Sequence, residues 1–301
     1  MTPQTSTRTP DQTSPERTEH PPIAVIGGGN MASAILAGAS NAGAIDLDRV
    51  VVADPDPAKH GAYPNGVASA SEALAWLGSH ADDKMANGDD QGRAGQIVFA
   101  VKPQIFPLVA EEVGGAFAAG PSRVVLSVLA GTTSETIRAS LGQPARVVRV
   151  MPNTPAQVGR GVSAIALGAG SREGDDAIAR RLMSAVGEVV AIDEAMMDAF
   201  TGLAGSGPAY VFYLAEALAK AGEAVGFTPE QAGKIAEGVV TGSARLLEAD
   251  DRDAAELRSA VTSPNGTTQA GTESLDASGV MDAVVKAVTA ARDRGREIAA
   301  S

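Results

Sequence analysis

The sequence predicts an α/β fold in which a doubly wound sheet precedes an all-helical C-terminal part. Over the first half, short apolar, β-branched runs alternate with Ala- and Leu-rich segments, as strands and helices do in a parallel sheet buried on both faces. From about residue 195 the strand-like runs stop, and long helix-like segments follow with only Gly and Pro between them. We therefore expect a disordered leader over 1–20, a sheet domain over 21–193 and a helical domain over 194–301.

The composition disfavours several classes of function. The 301 residues include no cysteine and three histidines, which leaves little for a metal site, a thiolate nucleophile or a Ser-His-Asp triad. The formal net charge of −12 disfavours nucleic acid or an anionic membrane as a partner. No apolar run approaches the roughly 20 residues of a membrane-spanning helix. We expect a cytoplasmic protein with no metal, nucleic-acid or membrane partner.

The N-terminal elements are predicted in order from local composition. The leader is Thr, Pro, Ser, Gln and charge without periodicity, and His20 falls within it. Apolar runs predict strands at 23–26, 50–53, 97–101, 124–128 and 146–150. Helices are predicted at 30–43, 71–77 and 104–117, and the polar, Gly-rich stretch 82–96 is predicted to be a surface loop.

The C-terminal part is predicted to contain only helices. Apolar periodicity with Gly and Pro punctuation places them at 196–203, 209–225, 229–248, 254–261, 268–274 and 280–300. Five glycines stand among alanines in this part and predict close helix packing in a bundle or a dimer: Gly222, Gly226, Gly233, Gly238 and Gly242.

A glycine-rich turn follows the first predicted strand. The pattern Gly27-x-Gly29-x-x-Ala32 opens a helix, a context typical of a Rossmann-type dinucleotide site, although an ordinary tight turn explains it too. Asp54 ends the second strand, where a carboxylate reads the adenosine ribose and favours NADH over NADPH. Asp54-Pro55 is equally a turn initiator, and Lys59 is near enough in sequence to offset the charge of Asp54.

Four further stretches occur in a characteristic order. They are Ala100-Val101-Lys102-Pro103, Met151-Pro152-Asn153-Thr154-Pro155, the segment TGLAGSGPAY over 201–210 and the segment VTSPNGTT over 261–268. Together with the GGGNMA start, they make the chain resemble the pyrroline-5-carboxylate reductase family from about Ile23 to Ile298. The resemblance implies reduction of 1-pyrroline-5-carboxylate, a small cyclic imine, to L-proline by NADPH or NADH, the last step of proline biosynthesis. It also implies a homodimer through the C-terminal helices, from which larger assemblies are commonly built, with the active site at the domain junction.

The resemblance also assigns site residues by motif. Cofactor contacts are implied for Gly27, Gly28, Gly29, Asn30, Met31, Ala32, Asp54, Ala100, Val101, Lys102, Pro103, Leu129, Ala130, Gly131 and Asn153. Substrate contacts are implied for Glu194, Ser263, Gly266, Thr267 and Thr268, with Thr268 as the catalytic residue.

The chemistry of the last motif agrees with these assignments. A Gly-containing turn that opens a helix offers backbone N–H groups to the substrate carboxylate, and the Thr268 hydroxyl can supply or relay a proton to the ring nitrogen. A protonated iminium needs no such acid, and N-capping alone also explains Thr267 and Thr268. Glu194 is equally interpreted as a helix cap or a solvated charge. Asn265 stands where most family members have a second glycine.

Three other functions fit parts of the sequence. A relative that acts on the six-membered cyclic imine differs by one methylene, which a pocket discriminates by only about 1–3 kcal/mol. A dinucleotide-binding scaffold without turnover would explain the absence of an obligate histidine acid. A 3-hydroxy-acid dehydrogenase shares the N-terminal domain type, but its lysine position would fall on Lys220, which lacks the expected polar neighbours.

Overall fold

The computed structural model describes residues 20–80, 95–142 and 145–300. Within them, eight strands form one sheet: β1 (Ile23–Ile26), β2 (Val50–Ala53), β3 (Asn65–Val67), β4 (Gln96–Phe99), β5 (Val124–Ser127), β6 (Arg146–Met151), β7 (Gly161–Leu167) and β8 (Gly187–Ala191). Their order is β3-β2-β1-β4-β5-β6-β7-β8, and the first six positions follow the Rossmann arrangement. Neighbouring strands are parallel except for β6 and β7, which pair antiparallel.

The helices of the sheet part lie between the strands, and the remaining helices follow β8. The first group is α1 (Asn30–Asn41), α2 (Pro57–His60), α3 (Ala70–His80), α4 (Phe106–Ala119), α5 (Ser134–Leu141) and α6 (Ala177–Ser184). The second group is α7 (Met197–Phe200), α8 (Gly207–Ala224), α9 (Pro229–Ala249), α10 (Ala254–Ala260), α11 (Thr267–Ala277) and α12 (Val280–Ala300). None of these helices combines the length and the apolarity that a membrane span requires.

Helices cover both faces of the sheet. Ile23 and Val25 of β1 pack into one apolar cluster with side chains of α1 and α6, whereas Ala24 and Ile26 pack into a second cluster with α3, α4 and α5. Because successive side chains of a strand point to opposite faces, a strand between two helical layers is buried on both faces and is apolar at most of its positions. This explains the continuous apolar runs of the sequence, and it confirms the predicted α/β fold class.

The structure adds elements that the sequence did not predict. These are strands β3, β7 and β8 and helices α2, α5 and α6. The predicted loop over 82–96 lies mostly outside the described residues, but Gln96 is the first residue of β4 rather than part of a loop. The leader over 1–19 also lies outside them.

His20 is not part of an unfolded tail, and the prediction for this residue was wrong. Its side chain is buried, and its Nε2 accepts a hydrogen bond of 2.9 Å from the Asp46 backbone N–H. The carbonyl of His20 accepts a bond of 2.8 Å from Arg49 Nε. The local sequence is polar, but these partners from the turn before β2 fix His20 against the sheet domain.

The first helical segment after β8 also differs from its prediction. Instead of one helix over 196–203, the chain forms a 3-10 turn (Glu194–Met196), the short helix α7 and a π-helical turn (Thr201–Gly205). A Cβ at Gly202 would lie 2.8 Å from the backbone nitrogen of Arg292, so α12 crosses directly over this turn. Single π-helical turns inside helical segments often occur at functional sites.

The helices after β8 leave much of their apolar surface uncovered within one chain. Helices α8, α10 and α11 contain no buried residue, and α9 buries only Ala232 and Ala236. Of the five glycines expected to pack closely, Gly222 does so, because a Cβ there would lie 2.9 Å from the Ala232 Cβ. The other four would meet no atom of this chain within 4 Å.

One aromatic contact lies at the end of α3. The rings of Trp76 and His80 stack with their centroids 4.0 Å apart. Trp76 is the single tryptophan of the chain.

Candidate active site

Three loops meet at the carboxyl ends of β1, β2 and β4. Gly27 follows β1 with φ of 106°, and its N–H donates to the Ala53 carbonyl at 2.8 Å. A Cβ at Gly27 would lie 2.7 Å from the Ala100 carbonyl oxygen, so only glycine fits here. Gly29 is the N-cap of α1 without a side-chain cap, and a Cβ there would meet nothing within 4 Å. The amide groups of the first turn of α1 therefore face an open space suited to a diphosphate.

The Asp54 carboxylate lies beside this glycine loop. Its Oδ2 accepts a hydrogen bond of 2.9 Å from the Gly28 N–H, and its Oδ1 accepts one of 3.0 Å from the Asp56 N–H. The Lys59 ammonium lies 3.6 Å from Oδ1 and is half exposed. These contacts fix a carboxylate next to a cation at the end of β2, where Rossmann domains read the adenosine ribose.

A cleft of about 490 Å³ opens at this edge of the sheet. Its wall includes six residues that the sequence predicted for cofactor binding: Gly27, Gly29, Asp54, Ala100, Val101 and Lys102. The chain between β3 and α3 and the outer face of α4 complete it, with Ser69, Leu108 and Glu112 among their residues. The size and the polar rim fit the adenosine half of a dinucleotide.

Other residues predicted for the cofactor lie outside the lining of that cleft. In the first turn of α1, Met31 packs at the edge of the core and Ala32 is buried within it. Gly131, after β5, has φ of 69°, and a Cβ there would lie 3.0 Å from Ile298 Cγ2 near the end of α12. The α1 side chains therefore belong to the core, and the loop after β5 lies against the C-terminal helix.

Asn153 connects the sheet to the helical part. Its side chain is buried, and its Nδ2 donates to the Ala204 carbonyl at 3.1 Å. Its Oδ1 accepts a hydrogen bond of 2.9 Å from the Val162 N–H. The Asn153 side chain thus joins β7 to the π-helical turn, and both of its polar atoms have a partner within the chain.

The Glu194 carboxylate is held by hydrogen bonds and an ion pair from the sheet domain. Oε1 accepts a hydrogen bond of 2.8 Å from the Ser134 N–H and one of 3.3 Å from Arg149 Nη1, and Oε2 accepts from the Ser134 hydroxyl. Arg149 is buried, so the ion pair compensates a charge held away from water. These residues line a separate depression of about 310 Å³ that shares no lining residue with the cofactor cleft.

The turn between α10 and α11 contains the predicted substrate residues. Its Gly266 N–H donates to the Ser263 carbonyl at 3.0 Å, and a Cβ at Gly266 would lie 2.3 Å from Ser263 Oγ. Gly266 itself is the N-cap of α11 and has no side-chain cap, so Thr267 and Thr268 occupy the first two helical positions. Capping is therefore not the role of these two threonines. Their amide groups precede the first intrahelical hydrogen bonds and can donate to an anion.

Comparison with known proteins agrees with this geometry. The family model described as pyrroline-5-carboxylate reductase dimerisation matches residues 194–298, and one described as NADP oxidoreductase, coenzyme F420-dependent, matches 22–131. A pyrroline-5-carboxylate reductase of Pseudomonas aeruginosa is 35% identical over 281 residues, which cover 93% of this chain and 97% of the relative. The chain belongs to the pyrroline-5-carboxylate reductase family.

Solved structures of this family have the same fold. A pyrroline-5-carboxylate reductase from Coxiella burnetii matches with a TM-score of 0.78 and 32% identity, covering 93% of this chain and 99% of the other. The Plasmodium falciparum pyrroline carboxylate reductase, solved with NADP bound, matches with a TM-score of 0.75 and 26% identity, covering the same shares. As a family member this chain is an NAD(P)H-dependent oxidoreductase, and its glycine loop, open helix terminus and cleft fit such a cofactor.

The match to the dimerisation family model covers the helices of this family member that leave apolar surface exposed. It spans α7 to most of α12, the part of the chain with the fewest buried side chains. Large apolar side chains are exposed there, including Phe212, Tyr213, Met281 and Val285. A dimerisation domain is thus present, and its helices have apolar surface to bury.

Sequence reasoning missed part of the cleft of this reductase. Ser69 lines it from the residue before α3, Leu108 and Glu112 line it from α4, and none of the three belongs to a local motif. Glu112 also accepts a hydrogen bond of 2.7 Å from the Ser71 N–H, which ties α4 to the first turn of α3. Only the packing of these two helices brings the residues to the cleft, so no local sequence signal marks them.

Proposed function

We propose that this chain reduces 1-pyrroline-5-carboxylate to L-proline with hydride from NAD(P)H. The observation that carries the proposal is the likeness to pyrroline-5-carboxylate reductases over 93% of the chain, which includes both the glycine loop and the Ser263–Thr268 turn. The cofactor, when bound, supplies the hydride. The protein supplies position and electrostatics.

The sheet domain holds the cofactor in this proposal. The amide groups at the start of α1 bind the diphosphate, and Asp54 receives the adenosine ribose. Ala100, Val101 and Lys102 form the wall of the cleft at the end of β4. Leu129, Ala130, Gly131 and Asn153 follow β5 and β6, the next two strands towards the nicotinamide end.

The Ser263–Thr268 turn receives the substrate carboxylate. The Thr267 and Thr268 amide groups and the positive end of the α11 dipole favour an anion, and the Ser263 hydroxyl adds a donor. Glu194 was assigned to the substrate by resemblance, but its contacts with Ser134 and Arg149 favour a structural role. In the single chain the turn is not part of the cofactor cleft.

A second copy of the chain completes the active site in this proposal. The exposed apolar side chains of α8 and α12 support a homodimer through the C-terminal helices, with the site at the junction of the two domain types. The cytoplasmic location stays a prediction, and the need for an intracellular NAD(P)H supply supports it.

The test is the initial rate of NADH and NADPH oxidation by purified protein with 1-pyrroline-5-carboxylate and, separately, with the six-membered cyclic imine. We expect a higher kcat/KM for the five-membered ring. A preference for the larger ring would reassign the substrate within the same chemistry. Cofactor binding without oxidation on either imine would favour the scaffold function and contradict the proposal.

The proposed proton donor is Thr268. Hydride transfer to the ring carbon breaks the C=N π bond, and the nitrogen of a neutral imine must then gain a proton, which the Thr268 hydroxyl supplies or relays from water. Thr268→Ala should lower kcat by about 100-fold while the cofactor KM changes by less than about twofold. Thr268→Ser should retain most of the activity.

Thr241→Ala is the matched control, because it removes a helix hydroxyl that bonds the Glu237 carbonyl at 2.8 Å in α9. Steady-state rates at fixed pH distinguish the variants. Full turnover by Thr268→Ala would show that solvent protonates the substrate.

A further inference from the structure

The Ser263–Thr268 turn contains an unusual backbone conformation. Asn265 has φ of 60°, and it is the one non-glycine residue with positive φ in the described part of the chain. A left-handed conformation is disfavoured for residues with a Cβ, although Asn tolerates it better than most. Because Gly266 and the start of α11 follow directly, the conformation of Asn265 sets the direction in which the Thr267 and Thr268 amide groups point.

A side chain from the first turn of α11 holds this conformation. The Asn265 N–H donates to Gln269 Oε1 at 2.7 Å. The Gln269 amide is itself oriented, because its Nε2 donates to Glu273 Oε1 at 2.7 Å. Gln269 and Glu273 lie four residues apart on one face of α11, where such pairs interact, and Asn265 lies two residues before the first helical residue Thr267.

The hydrogen bonds from the Asn265 N–H to Gln269 and from Gln269 to Glu273, here called the relay, resemble one half of a capping box, in which a Gln or Glu at the third helical position accepts from the N-cap N–H. Gln269 accepts instead from the residue before the N-cap Gly266, and it binds no amide group inside the first turn of the helix. The amide groups of Thr267 and Thr268 are thereby left to an anion. The hydrogen bond to Gln269 also fixes the peptide group that contains the Asn265 N–H, which would otherwise be free to rotate.

We propose that Gln269 is a positioning residue for the substrate carboxylate: with Glu273 it holds Asn265 left-handed and so preorganises the anion-binding turn. This rests on the proposed function of the Ser263–Thr268 turn. Preorganised donors bind without a cost of reorganisation, so loss of the relay weakens carboxylate binding and leaves hydride transfer to the bound substrate largely intact.

The first test compares Gln269→Ala with the unaltered protein in steady-state kinetics. We expect the KM for 1-pyrroline-5-carboxylate to rise about fivefold to tenfold, with kcat and the cofactor KM within about twofold of the unaltered values. A simple loss of folded protein would lower the apparent kcat and leave KM unchanged.

The matched substrate control is 1-pyrroline, which has the same ring and C=N bond but no carboxylate. Its kcat/KM should be the same for both proteins, because there is no carboxylate for the turn to bind. An equal fall in kcat/KM on both imines would overturn the proposal.

Two rescue variants test the relay itself. Asn265→Gly added to Gln269→Ala should restore much of the lost affinity, because glycine adopts positive φ without a steric cost. Gln269→Glu with Glu273→Gln should also restore it, because an acceptor stays at 269 and the donor moves to 273.

An unchanged KM in Gln269→Ala, or a raised KM that neither rescue lowers, would contradict the positioning role of Gln269. It would leave the proposed function intact. Unaltered protein that fails to reduce 1-pyrroline-5-carboxylate would contradict the proposed function, and with it this proposal.

Discussion

At the residue scale, Asp54 is the side chain that we expect to distinguish the two cofactors. Its carboxylate would accept hydrogen bonds from the ribose hydroxyls of NADH and repel the 2′-phosphate of NADPH, while Lys59 at 3.6 Å reduces that repulsion. Asp54→Ser should therefore raise the NADPH-to-NADH ratio of kcat/KM by about tenfold or more, since hydrogen bonds to a charged group contribute about 1.5–3 kcal/mol.

The control is Asp48→Ser, which removes an exposed acid at the opposite end of β2. Its ratio should match that of the unaltered protein. If Asp54→Ser also leaves the ratio unchanged, Asp54 is not the residue that reads the ribose.

His20 makes the stability of the fold depend on pH. Burial away from water lowers the pKa of His20, the carbonyl of Pro21 raises it, and the positive charges of Arg49 and Arg181 lower it further, against a raising effect of Asp46. A folded-state pKa below the unfolded value of about 6.5 means that the stabilising contribution is present above pH 6.5 and is lost as pH falls through the folded-state pKa.

We expect the midpoint of thermal unfolding to fall between pH 7.5 and about pH 5 by more in the unaltered protein than in His20→Gln. The exposed His80 provides the control variant, His80→Gln, which should follow the unaltered protein. Identical pH profiles for His20→Gln and the unaltered protein would contradict this role.

The sequence predicted the positions of single residues where their neighbours in the structure are also close to them along the chain. The glycine loop and Asp54 were predictable because strand, turn and helix follow one another along the chain. His20 was predicted wrongly because its partners, Asp46 and Arg49, come from a turn about 26 residues later, and a polar local sequence does not show them.

At the scale of elements, the parallel strands of the sheet centre were predictable, whereas the edge strands β3 and β8 and the interior strand β7, which pairs antiparallel with β6, were not. β1, β2, β4, β5 and β6 are buried on both faces and are apolar over most of their length. β8 is partly exposed, and β3 has only three residues, of which two are Asn65 and Gly66. Edge strands carry neither a continuous apolar run nor a long alternating one, so hydrophobic periodicity misses them.

The π-helical turn at Thr201–Gly205 shows a second limit of pattern reasoning. The segment has the composition of a helix, and one helix was predicted over it. The close crossing of α12 at Gly202 and the hydrogen bond from Asn153 to the Ala204 carbonyl both come from distant parts of the chain. Tertiary contacts of this kind override local helix geometry.

At the scale of the whole molecule, the sheet domain has two apolar clusters, whereas the C-terminal helices have few buried side chains of their own. Exposed apolar patches of this extent mark an interaction surface. We expect the protein to sediment as a dimer or a larger assembly of dimers, which analytical ultracentrifugation measures directly.

Phe212→Asp should shift the assembly towards the monomer and abolish most activity, because it would place an unpaired charge in the apolar contact that α8 is expected to make with a second copy. Ala116→Asp, on the exposed side of α4, is the control and should leave the assembly unchanged. A dimer of normal affinity in Phe212→Asp would place the interface elsewhere.

The intrinsic tryptophan fluorescence of this protein reports on one place in the fold, the stacked pair of Trp76 and His80 in α3. With a single indole, all tryptophan emission comes from α3, whose first residue, Ala70, lines the cofactor cleft about 9 Å along the helix axis from Trp76. Cofactor titrations can therefore be followed without a label.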